Sequence, residues 1–303
     1  MRTSLKFLLL FLVLKHISIN AVAQEAAKPP RVLVVMAHPD DESTFSVTLY
    51  KIAKEQHGTV DLFVITNGEA GFKYATLAEA FYGRDLTDEQ TGRQNLPRIR
   101  KQELMNAGKI LGVSEYHFAG QQDSKFTLNE RQPLDSCWNV TLVGKELKKV
   151  LLSKSYDFVF CLLPEADTHG AHKAAALLSL DIVHSLPEGR RPTLLGATLK
   201  NKTGQTLAYT SLRNYPETEA TTDTAAFVID RTASFSYHNR VNYKVIANWE
   251  IAEHKTQGVT QMTMNEGDLE EFWFFKQNDA GRFEKCRQLF DKLKLTPYLA
   301  KTY

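Results

Sequence analysis

Cysteine is scarce in this chain, which has three cysteines among its 303 residues, at positions 137, 161 and 286. No cysteine lies within four residues of another, and this spacing argues against a zinc–thiolate cluster. At most one disulfide bond can form between them. Cys161 lies in an apolar run, so we expect it to be a buried thiol.

An excess of charge of one sign is also missing. The chain has 37 lysines and arginines against 35 aspartates and glutamates. The first 23 residues hold three of the basic side chains, Arg2, Lys6 and Lys15, and no acid, which leaves 37 − 3 = 34 basic residues against 35 acidic ones. Because no basic block stands out from this balance, the sequence argues against a nucleic-acid partner.

Long apolar runs are lacking as well. The run Phe7–Leu14 is too short to span a bilayer, and it lies between two basic residues and the small-x-small triplet Ala21–Ala23. This order is typical of a signal peptide. We therefore expect residues 1–23 to be a signal peptide, residues 24–303 to be one domain, and the mature protein to be secreted or periplasmic without stable membrane insertion. The alternative is an N-terminal anchor that is not cleaved.

The remaining sequence predicts an α/β protein. Hydrophobic residues make up 43% of the chain, which is enough for a large core. Apolar strand-like runs alternate with helix-like stretches, and this order favours right-handed βαβ units in a Rossmann-like, mostly parallel sheet with helices on both faces. Strands are predicted at 31–37, 60–66, 114–118, 156–163, 205–211, 224–230 and 269–275, helices at 43–56, 97–111, 139–153, 169–184, 239–257 and 280–293, and a long loop at 67–95.

Two polar clusters directly follow two of the predicted strands. The first is the segment Ala37-His-Pro-Asp-Asp-Glu42, and the second is Thr168-His-Gly-Ala-His172. Ligands in open α/β sheets bind outside the carboxyl ends of the strands, so we expect both clusters to lie at one edge of the sheet.

The side chains of these clusters have the chemistry of a catalytic metal site. Zinc in hydrolases takes three nitrogen or oxygen ligands and keeps one position open for water. His38 and Asp41 are three residues apart and can face one point, where His172 can complete the set. Asp40 is then free to accept a proton from the attacking water. Turn formation by Pro and Asp, acids at a helix start and solvent-exposed histidines are the plainer interpretations.

The segment Ala37–Glu42 after an apolar strand resembles the signature of the LmbE/PIG-L family of N-acetylglucosaminyl deacetylases. Weaker resemblances follow in the family's order, at residues 66–71, in Arg100–Glu103 with the later Leu-Gly, at Asp123 and in His254–Gln257. The resemblance covers most of the mature chain. Its first motif is highly specific, whereas the other motifs are individually weak.

The resemblance implies a role for each matched residue. It implies zinc, or another divalent metal, bound by His38, Asp41 and His172, with Asp40 as the general base, His169 as the protonated residue that stabilises the oxyanion or protonates the leaving amine, and Glu69, Arg100 and Asp123 near the sugar. Plainer alternatives are a surface pair between Arg100 and Glu103 and a turn capped by Asp123. His254 is expected to brace the C-terminal helix rather than to line the pocket.

The second cluster departs from the family's pattern at one position. The family usually has an aspartate where this sequence has Ala171. The absence of that carboxylate should leave His169 less readily protonated, unless Asp167 or Glu165 takes its place.

The sequence thus predicts an exported, metal-dependent hydrolase that removes an N-acetyl group from an amino sugar. Its expected partner is a small-molecule or glycan substrate. Two alternatives remain open, a deacylase of a non-sugar amide and a non-catalytic, zinc-containing glycan-binding protein. The intact Asp40 argues against the second alternative, because a pure binding site needs no unligated base.

Overall fold

The computed structural model describes residues 28–298. The expected signal peptide lies outside these residues. Among the helices of the described part, none has the length and apolar character needed to cross a membrane.

A seven-stranded sheet forms the centre of the fold, and a two-stranded ribbon lies outside it. The strands are β1 (Arg31–Met36), β2 (Thr59–Thr66), β3 (Glu115–Gln121), β4 (Phe158–Leu162), β5 (Thr193–Lys200), β6 (Phe227–Asp230), β7 (Ser234–Phe235), β8 (Val241–Asn242) and β9 (Leu269–Phe274). The large sheet has the order β3-β2-β1-β4-β5-β9-β6, and β7 pairs with β8 in the ribbon. Neighbours among β1 to β5 run parallel, and β9 is antiparallel to both β5 and β6.

Helices cover both faces of this sheet. They are α1 (Ser46–Tyr50), α2 (Thr76–Tyr82), α3 (Glu89–Leu111), α4 (Val140–Ser153), α5 (Gly170–His184), α6 (Lys244–Ile251), α7 (Gly258–Met262) and α8 (Phe283–Lys294). Successive residues of β1 point to opposite faces: Val32 and Val34 pack with α1, α3, α6 and α8, whereas Leu33 and Val35 pack with α4 and α5. A strand buried on both sides is continuously apolar, as β1 is. The predicted α/β, mostly parallel sheet is confirmed.

The predicted loop at 67–95 is wrong. Residues Glu69–Tyr74 form a 3-10 helix, α2 follows, and α3 begins well before Pro97, where the sequence predicted its start. The side chain of Asp88 caps α3 by accepting a hydrogen bond from Thr91 N at 2.8 Å. Helix α3 continues through Pro97, although this residue has no N–H to donate to the carbonyl oxygen of Arg93.

The C-terminal third contains further differences from the prediction. Residues 205–211 are not a strand, and β5 occupies Thr193–Lys200 instead. Gly196 interrupts the apolar run of β5, so the sequence does not indicate a strand there. A glycine is needed at this position because a side chain would crowd Phe275 and Leu163. The predicted helix at 239–257 is shorter, because α6 ends at Ile251 and a separate helix, α7, follows after a turn.

Candidate active site

The segment after β1 turns sharply and fixes Asp41. Residues Asp41–Phe45 form a 3-10 turn that continues into α1. The Oδ2 atom of Asp41 accepts hydrogen bonds from the backbone N–H groups of Ala37 and His38, both at 2.9 Å. The other carboxylate oxygen, Oδ1, is therefore held toward the two imidazoles described next.

Three potential ligand atoms converge at the carboxyl ends of β1 and β4. His38 Nδ1 lies 3.2 Å from His172 Nε2, His172 Nε2 lies 3.2 Å from Asp41 Oδ1, and His38 Nδ1 lies 3.6 Å from Asp41 Oδ1. Ligands at tetrahedral bond lengths from one zinc ion are about 3.3 Å apart. Two imidazole nitrogens and one carboxylate oxygen at these separations fit a single divalent cation. The structure thus brings together the three residues that the sequence suggested as ligands.

The charges around these atoms favour a cation. Burial alone would lower the pKa of His38, but the carboxylates of Asp123 and Asp41 outweigh it and raise that pKa to about 10. Burial would raise the pKa of Asp41, but His172 and His38 hold it well below its usual value. The cluster therefore has a buried, ionised carboxylate. The carboxylates around His38 favour a positive charge at its imidazole.

Asp40 lies beside the cluster but is bound to other groups. Its Oδ1 accepts a hydrogen bond from Arg100 Nη2 at 2.8 Å, and its Oδ2 accepts one from the hydroxyl of Thr260 at 2.9 Å. The backbone φ of Asp40 is 154°, in the range that residues with a side chain rarely adopt. Asp40 faces the same cleft as the three ligand atoms without being one of them.

Arg100 is buried and joins three parts of the site. Besides Asp40, its guanidinium donates to the carbonyl oxygens of Gly68 at 2.5 Å and Pro39 at 2.8 Å. Gly68 has a φ of 69°, and a Cβ at this position would overlap the guanidinium. Arg100 is 2% exposed and Glu103 is 1% exposed, so the alternative of a surface pair between them is wrong.

Asp123 lies beside His38, and Glu69 lies behind Asp123 as seen from the cleft. Asp123 Oδ1 is 3.7 Å from His38 Nε2, on the side of the ring away from the ligand nitrogen. Although burial would raise the pKa of Asp123, His38 lowers it to about 2. Glu69 Oε2 accepts a hydrogen bond from the backbone N–H of Asp123 at 3.2 Å. Asp123 thus borders the cleft directly, whereas Glu69 supports it from behind, and a contact of Glu69 with substrate remains a prediction.

His169 is held between two rings. Its imidazole stacks on His38 at 5.1 Å between centroids and on Phe126 at 5.0 Å, and its Nε2 lies 3.3 Å from the carbonyl oxygen of Lys125. Burial and the neighbouring histidines lower the pKa of His169 to about 4. Within residues 28–298, no hydrogen bond or ion pair joins His169 to Asp167 or Glu165, so neither replaces the carboxylate that Ala171 lacks.

These residues border a cleft of about 410 Å³. Its walls also include Gln257, the last residue of the segment His254–Gln257, and two residues that the sequence does not indicate, Phe126 and Thr260. Phe126 lies in an irregular loop, and Thr260 lies in α7. No local pattern distinguishes them, because their relation to the site depends on contacts between distant parts of the chain.

A second group of ionisable residues is fully buried next to the cleft. His254 Nε2 lies 2.6 Å from Glu42 Oε1 and 3.2 Å from Glu250 Oε1. Burial raises the pKa of Glu42 to about 8, and the two carboxylates raise the pKa of His254 well above its usual value despite its burial. Glu42, His254 and Glu250 thus form a buried triad in which the imidazole lies between two carboxyl groups. His254 thus braces the structure, as the sequence suggested.

Residues 33–183 match the protein family described as PIG-L: GlcNAc-PI de-N-acetylase. The chain belongs to the PIG-L family. It is similar to a Bacillus anthracis protein named probable N-acetyl-alpha-D-glucosaminyl L-malate deacetylase 2, with 27% identity over 171 residues that cover 56% of this chain. The match covers 66% of that relative, slightly less than two thirds of its length.

Two further comparisons show one more similar sequence and one similar fold. A Catenulispora acidiphila protein named 1D-myo-inositol 2-acetamido-2-deoxy-alpha-D-glucopyranoside deacetylase 3 is 35% identical over 95 residues, which cover 30% of this chain and 25% of that protein. The solved N,N'-diacetylchitobiose deacetylase of Pyrococcus horikoshii superposes with a TM-score of 0.51 and 16% identity, covering 85% of this chain and 90% of that one. At this identity, the second likeness shows the shared fold.

Proposed function

We propose that this protein is an exported, zinc-dependent hydrolase that removes the N-acetyl group of an amino sugar. The observation that carries the proposal is the convergence of His38 Nδ1, Asp41 Oδ1 and His172 Nε2 within 3.6 Å of one another in a cleft that also contains Asp40. Membership of the PIG-L family supports the proposal. Two relatives support it as well, because both are named as deacetylases of acetylated amino-sugar glycosides.

The three ligand atoms suit zinc, and they leave room for a fourth ligand from the cleft. A divalent ion bound there would make water more acidic and would polarise the amide carbonyl. Two nitrogens and one oxygen also bind other divalent ions, and zinc is proposed because catalytic zinc sites commonly use this set.

Asp40 takes the proton of the attacking water in this proposal. Arg100 and Thr260 hold its carboxylate in one orientation, which general-base catalysis requires. The water oxygen forms a bond to the amide carbon, and the carbon–nitrogen bond then breaks. Asp40 returns the proton to the departing nitrogen, so that acetate and a free amine leave the cleft.

We propose for His169 a role other than the one that the resemblance implies. Burial and the neighbouring His38 and His172 lower the pKa of His169 to about 4, which disfavours a protonated imidazole at neutral pH. We assign proton return to Asp40 for this reason. His169 then forms a wall of the cleft next to the amide oxygen, with its ring fixed between Phe126 and His38.

The proposal of export rests on the order of basic, apolar and small residues at the start of the sequence. If it is right, N-terminal sequencing of the protein from the periplasm or the medium will give Gln24 as the first residue. A full-length chain retained in the membrane fraction would overturn this part of the proposal.

Acetate release from matched substrates tests the activity. N-acetylglucosamine glycosides, N-acetylated amino acids and N-acetylated thiol conjugates would be compared with the zinc-loaded enzyme, the chelated enzyme and Asp40→Asn. We expect release from the amino sugars, loss on chelation, recovery with zinc, and little activity in Asp40→Asn that still binds zinc. Faster release from a non-sugar amide would overturn the substrate assignment, and full activity of Asp40→Asn would overturn the mechanism.

A further inference from the structure

Both carboxylate oxygens of Asp40 are held, and their two donors come from distant parts of the chain. Arg100 donates to Oδ1 and Thr260 donates to Oδ2, at 2.8 and 2.9 Å. The backbone of Asp40, with a φ of 154°, is in a rarely populated conformation that persists only where surrounding contacts maintain it. External contacts are therefore needed to keep its carboxylate in place.

Helix α3 positions both donors to Asp40, Arg100 directly and Thr260 through Glu103. Arg100 and Glu103 are three residues apart and so project from the same side of the helix. Glu103 accepts hydrogen bonds from Thr256, from its hydroxyl at 2.6 Å and from its backbone N–H at 3.0 Å. Arg100 thus holds one side of Asp40 directly, and Glu103 fixes the short segment that brings Thr260 to the other side.

A second anchor fixes the same segment. His254 contacts Glu42 at 2.6 Å, and Glu42 directly follows the metal-ligand candidate Asp41 in the chain. Residues 254–260 are therefore attached both to α3 and to the turn after β1. Thr260 lies outside residues 33–183, which match the PIG-L family, and beyond the segment His254–Gln257 that resembles it, so its contact with Asp40 belongs to neither match.

We propose that Thr260 is a positioning residue for Asp40, an inference that rests on the proposed function. Its hydroxyl prevents the Asp40 carboxylate from turning about the contact with Arg100. Proton transfer needs a heavy-atom separation of about 2.6–3.2 Å, and a misplacement of about 1 Å can cost a hundredfold in rate. Loss of the hydroxyl is therefore expected to lower kcat about tenfold to a hundredfold, with little change in KM or in zinc content.

Three substitutions test this role. Thr260→Val removes the hydroxyl at nearly constant shape, Thr260→Ser keeps it, and Thr218→Val removes a hydroxyl that donates at 2.7 Å to Tyr215 O outside the cleft. We expect a lower kcat in Thr260→Val alone, with kcat largely retained in Thr260→Ser and Thr218→Val. Zinc stoichiometry and thermal unfolding are measured on each variant. If Thr260→Val misfolds, Thr260→Ala removes the same hydroxyl and is judged by the same criteria.

A double-variant cycle separates positioning from a structural role. If Thr260 acts through Asp40, adding Thr260→Val to Asp40→Asn causes no further loss of kcat, because the group that Thr260 positions has already been removed. A further loss equal to that in the wild-type background would overturn the inference, as would a wild-type kcat in Thr260→Val. Failure of the proposed function looks different, because the wild-type enzyme itself would then show no chelator-sensitive acetate release.

Discussion

His254 Nε2 and Glu42 Oε1 lie 2.6 Å apart across 212 positions of sequence, and both side chains are completely buried. Glu42 belongs to the turn that carries Asp41, and His254 precedes the segment that carries Thr260. The contact therefore joins the two parts of the chain that meet at the cleft. It also places the imidazole of His254 between the carboxyl groups of Glu42 and Glu250, which has consequences for stability.

Replacing His254 with leucine should destabilise the protein strongly. The substitution leaves Glu42 and Glu250 facing each other without a positive group, and removing one partner of a buried ion pair costs about 3–5 kcal/mol. Denaturant unfolding of the metal-free protein measures the loss. His184→Leu, at an exposed helix end, is the control and should cost less than about 1 kcal/mol. Equal stability of the two variants would contradict this role of His254.

The same triad predicts a pH dependence of stability. The folded-state pKa values of His254 and Glu42 are both raised, so each group binds its proton more tightly in the folded chain. The stability that they contribute is fully present below their unfolded pKa values, and it is lost as pH rises through the folded ones. Each released proton costs about 1.4 kcal/mol per pH unit.

The test of this dependence is a comparison of slopes. Between pH 6.5 and 9, the free energy of unfolding of the metal-free wild type should fall more steeply than that of Glu42→Gln/His254→Gln, which lacks both groups. Parallel slopes for the two proteins would show that the triad does not take up protons as described.

Zinc affinity should distinguish a ligand from the group behind it. His172→Ala removes one of three ligand atoms and should abolish stoichiometric binding. Asp123→Asn leaves all three in place but removes the carboxylate next to His38 Nε2, and the loss of such an outer partner weakens metal binding about 10–100-fold. Calorimetric titration with zinc measures both, and retention of one tightly bound zinc by His172→Ala would refute the ligand assignment.

Two glycines with similar backbone conformations provide a matched pair. Gly68 has a φ of 69° and touches Arg100, whereas Gly83 has a φ of 63° and has no neighbour within 4 Å of its Cβ position. Alanine at either position incurs the left-handed backbone cost of about 1–2 kcal/mol. Gly68→Ala must also displace Arg100 from Asp40, so kcat should fall at least about tenfold only in this variant. Similar kcat values in both variants would argue against the role of Arg100.

The sequence predicts the strands β1, β2 and β4 well, because each is a continuous apolar run buried on both faces. The cluster of His38, Asp41 and His172 is also predictable, because the carboxyl ends of parallel strands meet at one edge. The sequence predicts too late a start for helix α3, because Pro97 is usually a helix boundary, and it does not indicate β5, because Gly196 interrupts the apolar pattern of that strand.

Other contacts of the site have no local signal. Thr260 donates to Asp40 across 220 positions, and nothing in the residues around Thr260 identifies its partner. The same holds for Phe126, whose ring stacks on His169 from an irregular loop. Such pairs are fixed by the packing of whole elements, so they appear only once the chain has folded.

The two groups that hold Asp40 lie on opposite sides of His172 in the sequence, and this has a consequence for biosynthesis. During translation Arg100 is made before His172, whereas Thr260 is made 260 − 172 = 88 residues after it. All three proposed metal ligands are therefore present in the chain while the proposed general base still has only one of its two donors. Full catalytic competence is expected only after α7 has been made.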